Sequence, residues 1–271
     1  MAKRAKIKVG IIGLGYVGGA LRAWFERGAN RARYELFFYD TFKGIGSAAE
    51  VNRADIIFIA VPTPFVAGKG YDDSAVRESI KKIGNGKTIV IKSTIMPRST
   101  KKFQARWPKK TILFNPEFLR AKTANKDFLK PERQIVGFAN AAGKRAAEKV
   151  LAILPRAPYE KIMPATEAEM VKYFGNAFLA NRVIFANQIY DICRAAGIDY
   201  ETVRDGAARD PRVGASHFDV HDEGYRGYGG PCLPKDVRAL IQFAKSVGSE
   251  TNLLDSLERI NKGLGSEKNP K

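Results

Sequence analysis

Lys6-Ile-Lys-Val-Gly-Ile-Ile-Gly13-Leu-Gly15-Tyr16-Val17-Gly18 is the stretch whose reading decides the fold of this 271-residue chain. Its first half is an apolar run of strand length, and its second half fits Gly-x-Gly-x-x-Gly. In that motif Gly13 allows a tight turn, Gly15 lets a pyrophosphate approach the backbone, and Gly18 lets a helix pack on the strand. Helical spacing from Val17 to about Arg27 supplies the helix, whose N-terminal N–H groups and dipole favour phosphate. Tyr34–Tyr39 reads as a second strand ending at Asp40, 22 residues beyond Gly18. A carboxylate there accepts from both ribose hydroxyls of a dinucleotide and repels a 2′-phosphate, so NAD is the expected cofactor; Lys43 close by leaves NADP open.

Outward from this unit, Ile56–Val61, Thr88–Ile91, Thr111–Phe114 and Gln134–Phe138 read as further apolar or β-branched strands. Asp73 to Ile83 has helical spacing and opens on Asp72, Asp73 and Ser74 as candidate caps. Strands alternating with helices predict an α/β fold, an N-terminal Rossmann doubly wound parallel sheet. The pattern changes after Pro155–Pro164. Thr166 to Ala196 predicts one long helix, with Thr166 and Glu169 as a capping box and Gly197 as the stop. Asp199 opens a shorter helix, Gly224 to Gly230 is a glycine-rich loop, and helices follow over Pro234 to about Val247 and over Leu253–Ile260. The expected division is an NAD-binding Rossmann domain over residues 1–160 and an all-helical central and dimerisation domain over residues 161–271.

Hydrophobic residues make up 45% of the chain, enough for an ordinary core. No apolar run approaches the roughly 20 residues needed to cross a bilayer. Met1 to Lys8 is basic but lacks the apolar stretch and cleavage site of a secretory signal, so the expected location is cytoplasmic, with no membrane partner. The net charge of +18 and pI near 9.9 would attract polyanions. No helix-turn-helix, zinc-finger or RNP-type signature accompanies that charge. Lys109-Lys110, Lys126 to Arg133 and Lys144-Arg145 are spread along the chain, as a solvated basic surface would be, and nucleic acid is not the expected partner. Part of the excess can steer an anionic dinucleotide or nucleotide sugar.

The two cysteines have different surroundings. Cys232 lies in Gly227-Tyr228-Gly229-Gly-Pro-Cys232-Leu-Pro-Lys235-Asp236, leaving a glycine loop just ahead of a helix with Pro234 as its N1 residue. A thiol at a helix N-terminus beside Lys235 is expected to have a lowered pKa and to be a better nucleophile. Asp236, within one turn, can orient water or hold Lys235. Cys193 sits among Ile189, Ile192 and Ala196, where a small buried hydrophobe is expected. Lys172 and Asn176, four apart on the long helix, face the same way and could hold a developing oxyanion, although such a pair also reads as ordinary exposed residues. His217, Asp219, His221, Asp222 and Glu223 fit a solvated loop better than a metal site, and no metal is expected.

Seven segments then stand in one order from residue 6 to about 262. They are Gly13–Gly18, Val61-Pro62-Thr63-Pro64, Lys92-Ser-Thr94, Asn115-Pro-Glu117-Phe118-Leu119-Arg120, Glu169-Met-Val-Lys172-Tyr-Phe-Gly-Asn176, Asp210-x-Arg212-Val-Gly214 and Gly229-Gly-Pro-Cys232-x-Pro-Lys235-Asp236. Together they resemble the nucleotide-sugar dehydrogenases, the UDP-glucose/GDP-mannose dehydrogenase family. The resemblance implies oxidation of the C6 primary alcohol of a nucleotide sugar to the carboxylate with two NAD reduced, UDP-glucose to UDP-glucuronate being the expected conversion. It implies that Cys232 attacks the intermediate aldehyde to give a thiohemiacetal and then a thioester, which water hydrolyses. Lys172 and Asn176 would stabilise oxyanions, Asp236 and Thr94 would place water, and Glu117 would be the general base. Gly13, Gly15, Tyr16, Val17, Gly18, Asp40, Lys43, Pro62, Thr63, Thr94 and Lys235 would line the cofactor. Glu117, Phe118, Leu119, Lys172, Asn176, Arg212, Tyr228 and Gly229 would contact substrate, with Arg212 reaching the neighbouring subunit of a homodimer built on the long helix.

Three departures accompany the resemblance. Arg120 is followed by Ala121, where relatives carry a second glutamate, so Glu117 acts alone or the hydrolysis step is altered. The segment between Gly214 and Gly227, which borders the sugar site in relatives, is longer than usual. The chain ends about 35 residues past Asp236, where relatives continue into a second Rossmann-like domain that helps hold the nucleotide. Weak affinity for the sugar nucleotide is therefore expected unless a partner supplies that wall. Two other readings compete. A β-hydroxyacid-type dehydrogenase also pairs a Rossmann domain with helices but uses no covalent cysteine, so the Cys232 segment speaks against it. A catalytically silent nucleotide- or nucleic-acid-binding homologue fits the charge and the shorter chain, and is opposed by the retained Cys232, Lys172, Asn176 and Asp236.

Overall fold

A computed structural model describes residues 5–221 and 224–265. Asp222, Glu223 and the polar tail beyond residue 265 lie outside the described residues. The chain forms two compact units, one made of the chain up to Pro64 with Asp72–Lys172, the other of Phe65–Tyr71 with the chain from Tyr173 onward. The expected boundary at 160/161 falls inside a strand of the first unit, and the first turns of the long helix belong to that unit as well.

In chain order the elements are β1 (Ile7–Ile12), α1 (Tyr16–Glu26), α2 (Asn30–Arg33), β2 (Tyr34–Asp40), β3 (Ile45–Gly46), α3 (Ala48–Val51) and β4 (Ile56–Ile59). Next come the hairpin strands β5 (Phe65–Val66) and β6 (Gly70–Tyr71), then α4 (Ser74–Lys82), β7 (Thr88–Ile91), α5 (Ser99–Arg106) and β8 (Thr111–Phe114). The series continues through α6 (Ala124–Leu129), β9 (Arg133–Phe138), α7 (Ala141–Leu151), β10 (Tyr159–Pro164) and α8 (Ala165–Ala196). It closes with α9 (Tyr200–Ala208), α10 (Leu233–Ser246) and α11 (Asn252–Leu264).

The first unit is an eight-stranded sheet in the order β10-β9-β8-β7-β4-β1-β2-β3. Neighbours run parallel except at β2–β3 and β8–β9, so β9 and β10 form an antiparallel extension of a parallel sheet. Its inner strands β4, β7 and β8 are nearly continuous apolar runs because both of their faces are covered. Side chains alternate between faces along each strand: Ile57, Ile59, Ile89, Ile91, Ile112 and Phe114 pack in one core cluster, while Phe58, Val90 and Leu113 between them pack in the other. α1 adds Leu21 and Phe25 to the second cluster, and α4 adds Val76 and Ile80 to the first. The order of strands reverses at β1, with β2 on one side and β4 on the other. In sheets of this kind ligands bind beyond the carboxyl ends of the strands at that reversal.

The predicted capping box of the long helix does not form. α8 starts at Ala165, one residue earlier, so Thr166 falls inside the first turn and its hydroxyl has no hydrogen-bond partner among the described residues. Glu169 instead turns to α5: its carboxylate accepts from the Arg98 N–H (2.6 Å), the Thr100 N–H (2.8 Å) and the Thr100 hydroxyl (2.6 Å). It thereby supplies the acceptors that the N-terminus of α5 lacks among its own side chains. Asp199 does cap α9, accepting from the N–H groups of Glu201 and Thr202.

The second unit is helical, with one addition. The β5–β6 hairpin joins it, and the Tyr71 N–H donates to Gln242 of α10 at 3.0 Å. Ala180, Val183 and Ile184 of α8 pack with Tyr228, Val237 and Leu257. A second cluster holds Ala186, Cys193, Tyr200, Phe218 and Val220, so Cys193 is the buried small hydrophobe its neighbours suggested. No helix among the described residues is long and apolar enough to cross a membrane.

Candidate active site

The glycine loop between β1 and α1 has the geometry its sequence demands. Gly13 has φ +85°, which side-chain-bearing residues rarely adopt. A Cβ on Gly18 would lie 1.8 Å from the Gly13 carbonyl oxygen, so only glycine lets α1 approach the turn. A Cβ on Gly15 would meet nothing within 4 Å, which leaves open space above the loop for a ligand. Asp40, 8% exposed, accepts from the Leu14 N–H at 2.7 Å and from the Lys43 N–H at 3.0 Å. Burial pushes this carboxyl up, but the N–H donors of Leu14, Lys43 and Phe42, with the charge of Lys43, outweigh it and hold the group below its ordinary value. The Lys43 ammonium donates to the Leu14 carbonyl at 2.7 Å. These residues border a cleft of about 740 Å³ lined by Gly15, Tyr16, Gly19 and Lys43 and by residues 121–126. The cleft, the open Gly15 and the ionised Asp40 fit a dinucleotide. Ala121 is part of this lining.

The loops after β4 and β7 are tied together beside the strand reversal. Thr63 donates to the Thr94 carbonyl at 2.8 Å, and Ser93 to the Val61 carbonyl at 2.6 Å. Pro62, Thr63 and Thr94 thus lie together beyond the carboxyl ends of β4 and β7. Beyond them lies a buried charged group that the sequence reading only partly assembled. Lys172 of α8 and Glu117 pair at 2.9 Å, with side chains 6% and 10% exposed. Glu117 also accepts from the Leu119 N–H at 2.9 Å, and Phe118 stacks beneath Arg133, whose guanidinium is 3.8 Å from the ring centre. Lys92 is buried and donates to Asn115 at 2.8 Å; Asn115 in turn donates to the Ile135 carbonyl at 2.7 Å. Burial pushes the Lys92 ammonium down to about 7, Glu117 opposing and Lys172 adding to the shift.

In the second unit Cys232 is the N-cap of α10 and its residue is exposed. Pro234 occupies the second helical position rather than the first, because the helix begins at Leu233. Asp236 is 1% exposed. One of its oxygens accepts from the Asn176 amide at 2.5 Å, the other pairs with Lys235. Of the two roles open to Asp236, the hold on Lys235 is formed here. Asn176 and Lys172 are 9% and 5% exposed, so they are not an ordinary exposed pair on α8.

The loop that delivers Cys232 is fastened by residues the sequence reading passed over. Asn261 of α11 clamps the backbone of Tyr228, accepting from its N–H at 2.7 Å and donating to its carbonyl at 2.9 Å. Tyr228, expected at the substrate, is 2% exposed and its hydroxyl donates to Glu258, which Arg238 also engages at 2.8 Å. Its side chain supports the loop, with Gly229 following it. A single Asn far along the chain carries no local signal of such a clamp.

The segment after Gly214 is also more fixed than a solvated loop. Phe218 and Val220 are buried, and Tyr200 donates to the Phe218 carbonyl at 2.7 Å. Arg182 donates to the carbonyls of Val213, Gly214 and Ser216 and lies 4.1 Å from the Phe218 ring centre. Among the described residues no three His, Cys, Asp or Glu side chains gather as metal ligands. Arg212 is at the surface, its side chain 88% exposed and paired with Asp210 at 2.6 Å.

Residues 35–154 match the NAD binding domain of the UDP-glucose/GDP-mannose dehydrogenase family, and residues 166–263 match its central domain. The chain is 30% identical to the UDP-glucose 6-dehydrogenase AglM of Haloferax volcanii, over 84% of this chain and 57% of that protein. It is 32% identical to the UDP-glucose 6-dehydrogenase of Pseudomonas aeruginosa, over 93% of this chain and 64% of that protein. The structure of a UDP-glucose dehydrogenase from Pyrobaculum islandicum superposes with a TM-score of 0.83 at 28% identity, covering 97% of this chain and 69% of that one. The chain thus spans a little over half the length of the two sequence relatives. With both domain models in register along the chain and the fold of a dehydrogenase at its glycine loop, this chain belongs to the UDP-glucose/GDP-mannose dehydrogenase family.

Proposed function

We propose that this chain carries out the NAD-dependent oxidation of the C6 alcohol of a nucleotide sugar to its carboxylate, with Cys232 as covalent nucleophile. The observation that carries the reading is the start of α10, where an exposed thiol at a helix N-cap stands one turn from a buried aspartate held by Asn176 and Lys235. The positive end of the helix and the Lys235 ammonium favour a thiolate. The family membership and the UDP-glucose 6-dehydrogenase relatives support UDP-glucose as the donor.

In this reading Gly13, Gly15, Gly18, Asp40 and Lys43 would hold NAD, with Tyr16, Val17, Pro62, Thr63, Thr94 and Lys235 as further contacts. Bound NAD would accept a hydride in each of two oxidations. Glu117 takes the proton of the C6 hydroxyl, and the Lys172 ammonium stabilises the alkoxide. The Cys232 thiolate adds to the aldehyde so that it is not released. Lys172 and the Asn176 amide favour the oxyanion of the thiohemiacetal and, later, of the tetrahedral adduct formed by water on the thioester. Asp236 and Thr94 orient that water, and Glu117 is the only carboxylate between Asn115 and Ala121. Phe118, Leu119 and Gly229 contribute substrate contacts, and Arg212 reaches the site of a second copy.

The test is NADH formed per sugar by the full chain with NAD and saturating UDP-glucose, GDP-mannose or UDP-N-acetylhexosamines, with the product identified by mass. Two NADH per sugar and a uronic acid product are expected for the wild type. Cys232→Ser should keep NAD binding and make no acid. Acid production by that variant at the wild-type rate removes the covalent role, and no reduction with any sugar nucleotide removes the activity.

A further inference from the structure

Cys232 is reached through a stretch of backbone with little stiffness of its own. Gly227, Gly229 and Gly230 lie among the five residues ahead of it, and Gly227 and Gly230 have φ of +87° and +67°. Glycine visits many backbone states, so holding such a loop in one of them is costly in entropy. The fixed point is Tyr228, four residues before the sulfur. Asn261, buried on α11, holds its backbone on both sides, through the N–H at 2.7 Å and the carbonyl at 2.9 Å. The far end of its side chain is held too. Its hydroxyl donates to Glu258 at 2.9 Å, and the other oxygen of Glu258 accepts from Arg238 at 2.8 Å. Burial, with the Glu258 charge, pushes that hydroxyl above its ordinary value and keeps it a donor. Arg238 lies on α10, the helix that Cys232 opens, so the contacts run from the loop to α11 and back to the body of α10. Gly227 is fitted to this clamp: a Cβ there would lie 2.5 Å from the Asn261 side-chain oxygen. All of these residues belong to the second unit.

We infer that Asn261 is a positioning residue for Cys232, holding the sulfur where it captures the aldehyde made by the first oxidation. This role rests on Cys232 being the covalent nucleophile. The first oxidation turns the alcohol into the aldehyde and gives one NADH and a proton. The thiolate then adds to the aldehyde carbon, its electron pair forming the C–S bond while the carbonyl pair moves to oxygen. With the clamp released the loop samples other conformations and that addition slows. The aldehyde then leaves after one NADH instead of two. A residue that only supported the fold would lower the amount of active chain and leave two NADH per sugar.

Three variants of the full chain test this, each assayed well below its melting temperature. Asn261→Ala removes the clamp, and Gly227→Ala displaces it from the loop side. Leu254→Ala truncates an apolar side chain two turns away on α11 and leaves the clamp atoms in place. The first measurement is the rate of Cys232 alkylation by iodoacetamide without substrate, read by peptide mass. Asn261→Ala and Gly227→Ala should each slow it by roughly fivefold. The two together should slow it no further, since both act through one clamp. Leu254→Ala should keep the wild-type rate. The second measurement is NADH per sugar with NAD, UDP-glucose and a hydrazine trap. Wild type and Leu254→Ala should give two, and Asn261→Ala should fall toward one with trapped aldehyde and an unchanged KM for NAD. Alkylation of Asn261→Ala at the wild-type rate, or slowed no more than in Leu254→Ala, overturns the positioning role and leaves the covalent role of Cys232 standing. A wild-type chain that is alkylated rapidly yet forms no NADH with any sugar nucleotide overturns the proposed reaction, and the capture role with it.

Discussion

Lys172 and Glu117 meet at 2.9 Å with almost no solvent around either side chain. Taking both charges out of water is costly, and their mutual attraction and the extra N–H from Leu119 offset it. Removing one partner leaves the other charge buried and unpaired. Lys172→Ala should therefore destabilise the chain by about 3 kcal/mol or more. The exposed pair Arg209–Asp205, with side chains 79% and 70% exposed, should lose well under about 1 kcal/mol on Arg209→Ala. Urea denaturation of the two variants checks the contrast, and equal effects would show that breaking the buried pair costs no more than breaking the exposed one.

Lys92 should give stability a pH slope in the alkaline range. Burial holds its folded-state value near 7, below the ordinary 10.5. Between those values the unfolded chain binds a proton that the folded chain lacks, so the contribution is fully present above about 10.5 and is lost as pH falls through about 7. The wild type should gain up to about 1.4 kcal/mol per pH unit within that window relative to Lys92→Met. Parallel pH profiles of unfolding free energy for the two proteins would show that Lys92 is an ordinary protonated lysine.

The two glycines of the phosphate loop separate folding from binding. At Gly18 a methyl group would meet the Gly13 carbonyl oxygen at 1.8 Å, and that neighbour is backbone, which has nowhere to go. At Gly15 a methyl group enters open space. Gly18→Ala should lower the melting temperature and abolish NAD binding. Gly15→Ala should leave the melting temperature within a degree or two of wild type yet weaken NAD. The reverse order would contradict the assignment of the space over Gly15 to the cofactor.

Much of this arrangement could be read from the sequence, and the exceptions share a cause. β7 and β8 were legible to the residue because each is a short apolar run between polar turns, and the Gly13–Gly18 loop because sterics leave glycine as the only choice. The antiparallel sense of β9 was not legible, since alternation specifies which face a side chain takes and not the direction of the strand. The β5–β6 hairpin joins the second unit through Gln242, a partner 171 residues away. Thr166 and Glu169 had the spacing of a capping box, but three donors on α5 offered Glu169 a better set of bonds than one at its own helix start. Asn261 and Lys92 likewise act through contacts that no local pattern encodes.

Glu169 should give a second pH signature, opposite in sign to that of Lys92. Burial pushes its carboxyl up to about 7, against the Thr100 hydroxyl, the N–H groups of Thr100 and Arg98, and the charge of Lys101. A raised folded-state value contributes stability that is present below about 4.5 and lost as pH rises through about 7. Glu169→Gln should abolish that slope. It should also cost about 1–3 kcal/mol, because an amide NH2 would face an N–H donor where a carboxylate oxygen now accepts. Unfolding free energies of the two proteins between about pH 4.5 and 8 check both effects.

The outer face of α8 points to a second copy of the chain. Phe174, Phe178, Phe185 and Ile192 are 72%, 51%, 58% and 53% exposed, and the first two rings stack at 6.5 Å. At about 100° per residue these four side chains fall within an arc of roughly 40°. Lys172 and Asn176 lie on the opposite side of the same helix, so a partner covering the aromatic stripe would leave them undisturbed. Exposed apolar side chains grouped on one face mark interfaces, and a stripe running along a helix of 32 residues suits the same helix in a second chain. Phe178→Glu/Phe185→Glu should therefore convert a dimer to a monomer in sedimentation without lowering the melting temperature of the single chain. If Arg212 serves the partner's site, this monomer should also lose activity to the same extent as Arg212→Ala, and mixing it with that variant should restore none. A wild-type chain that sediments as a monomer at high concentration would leave the stripe without its proposed partner.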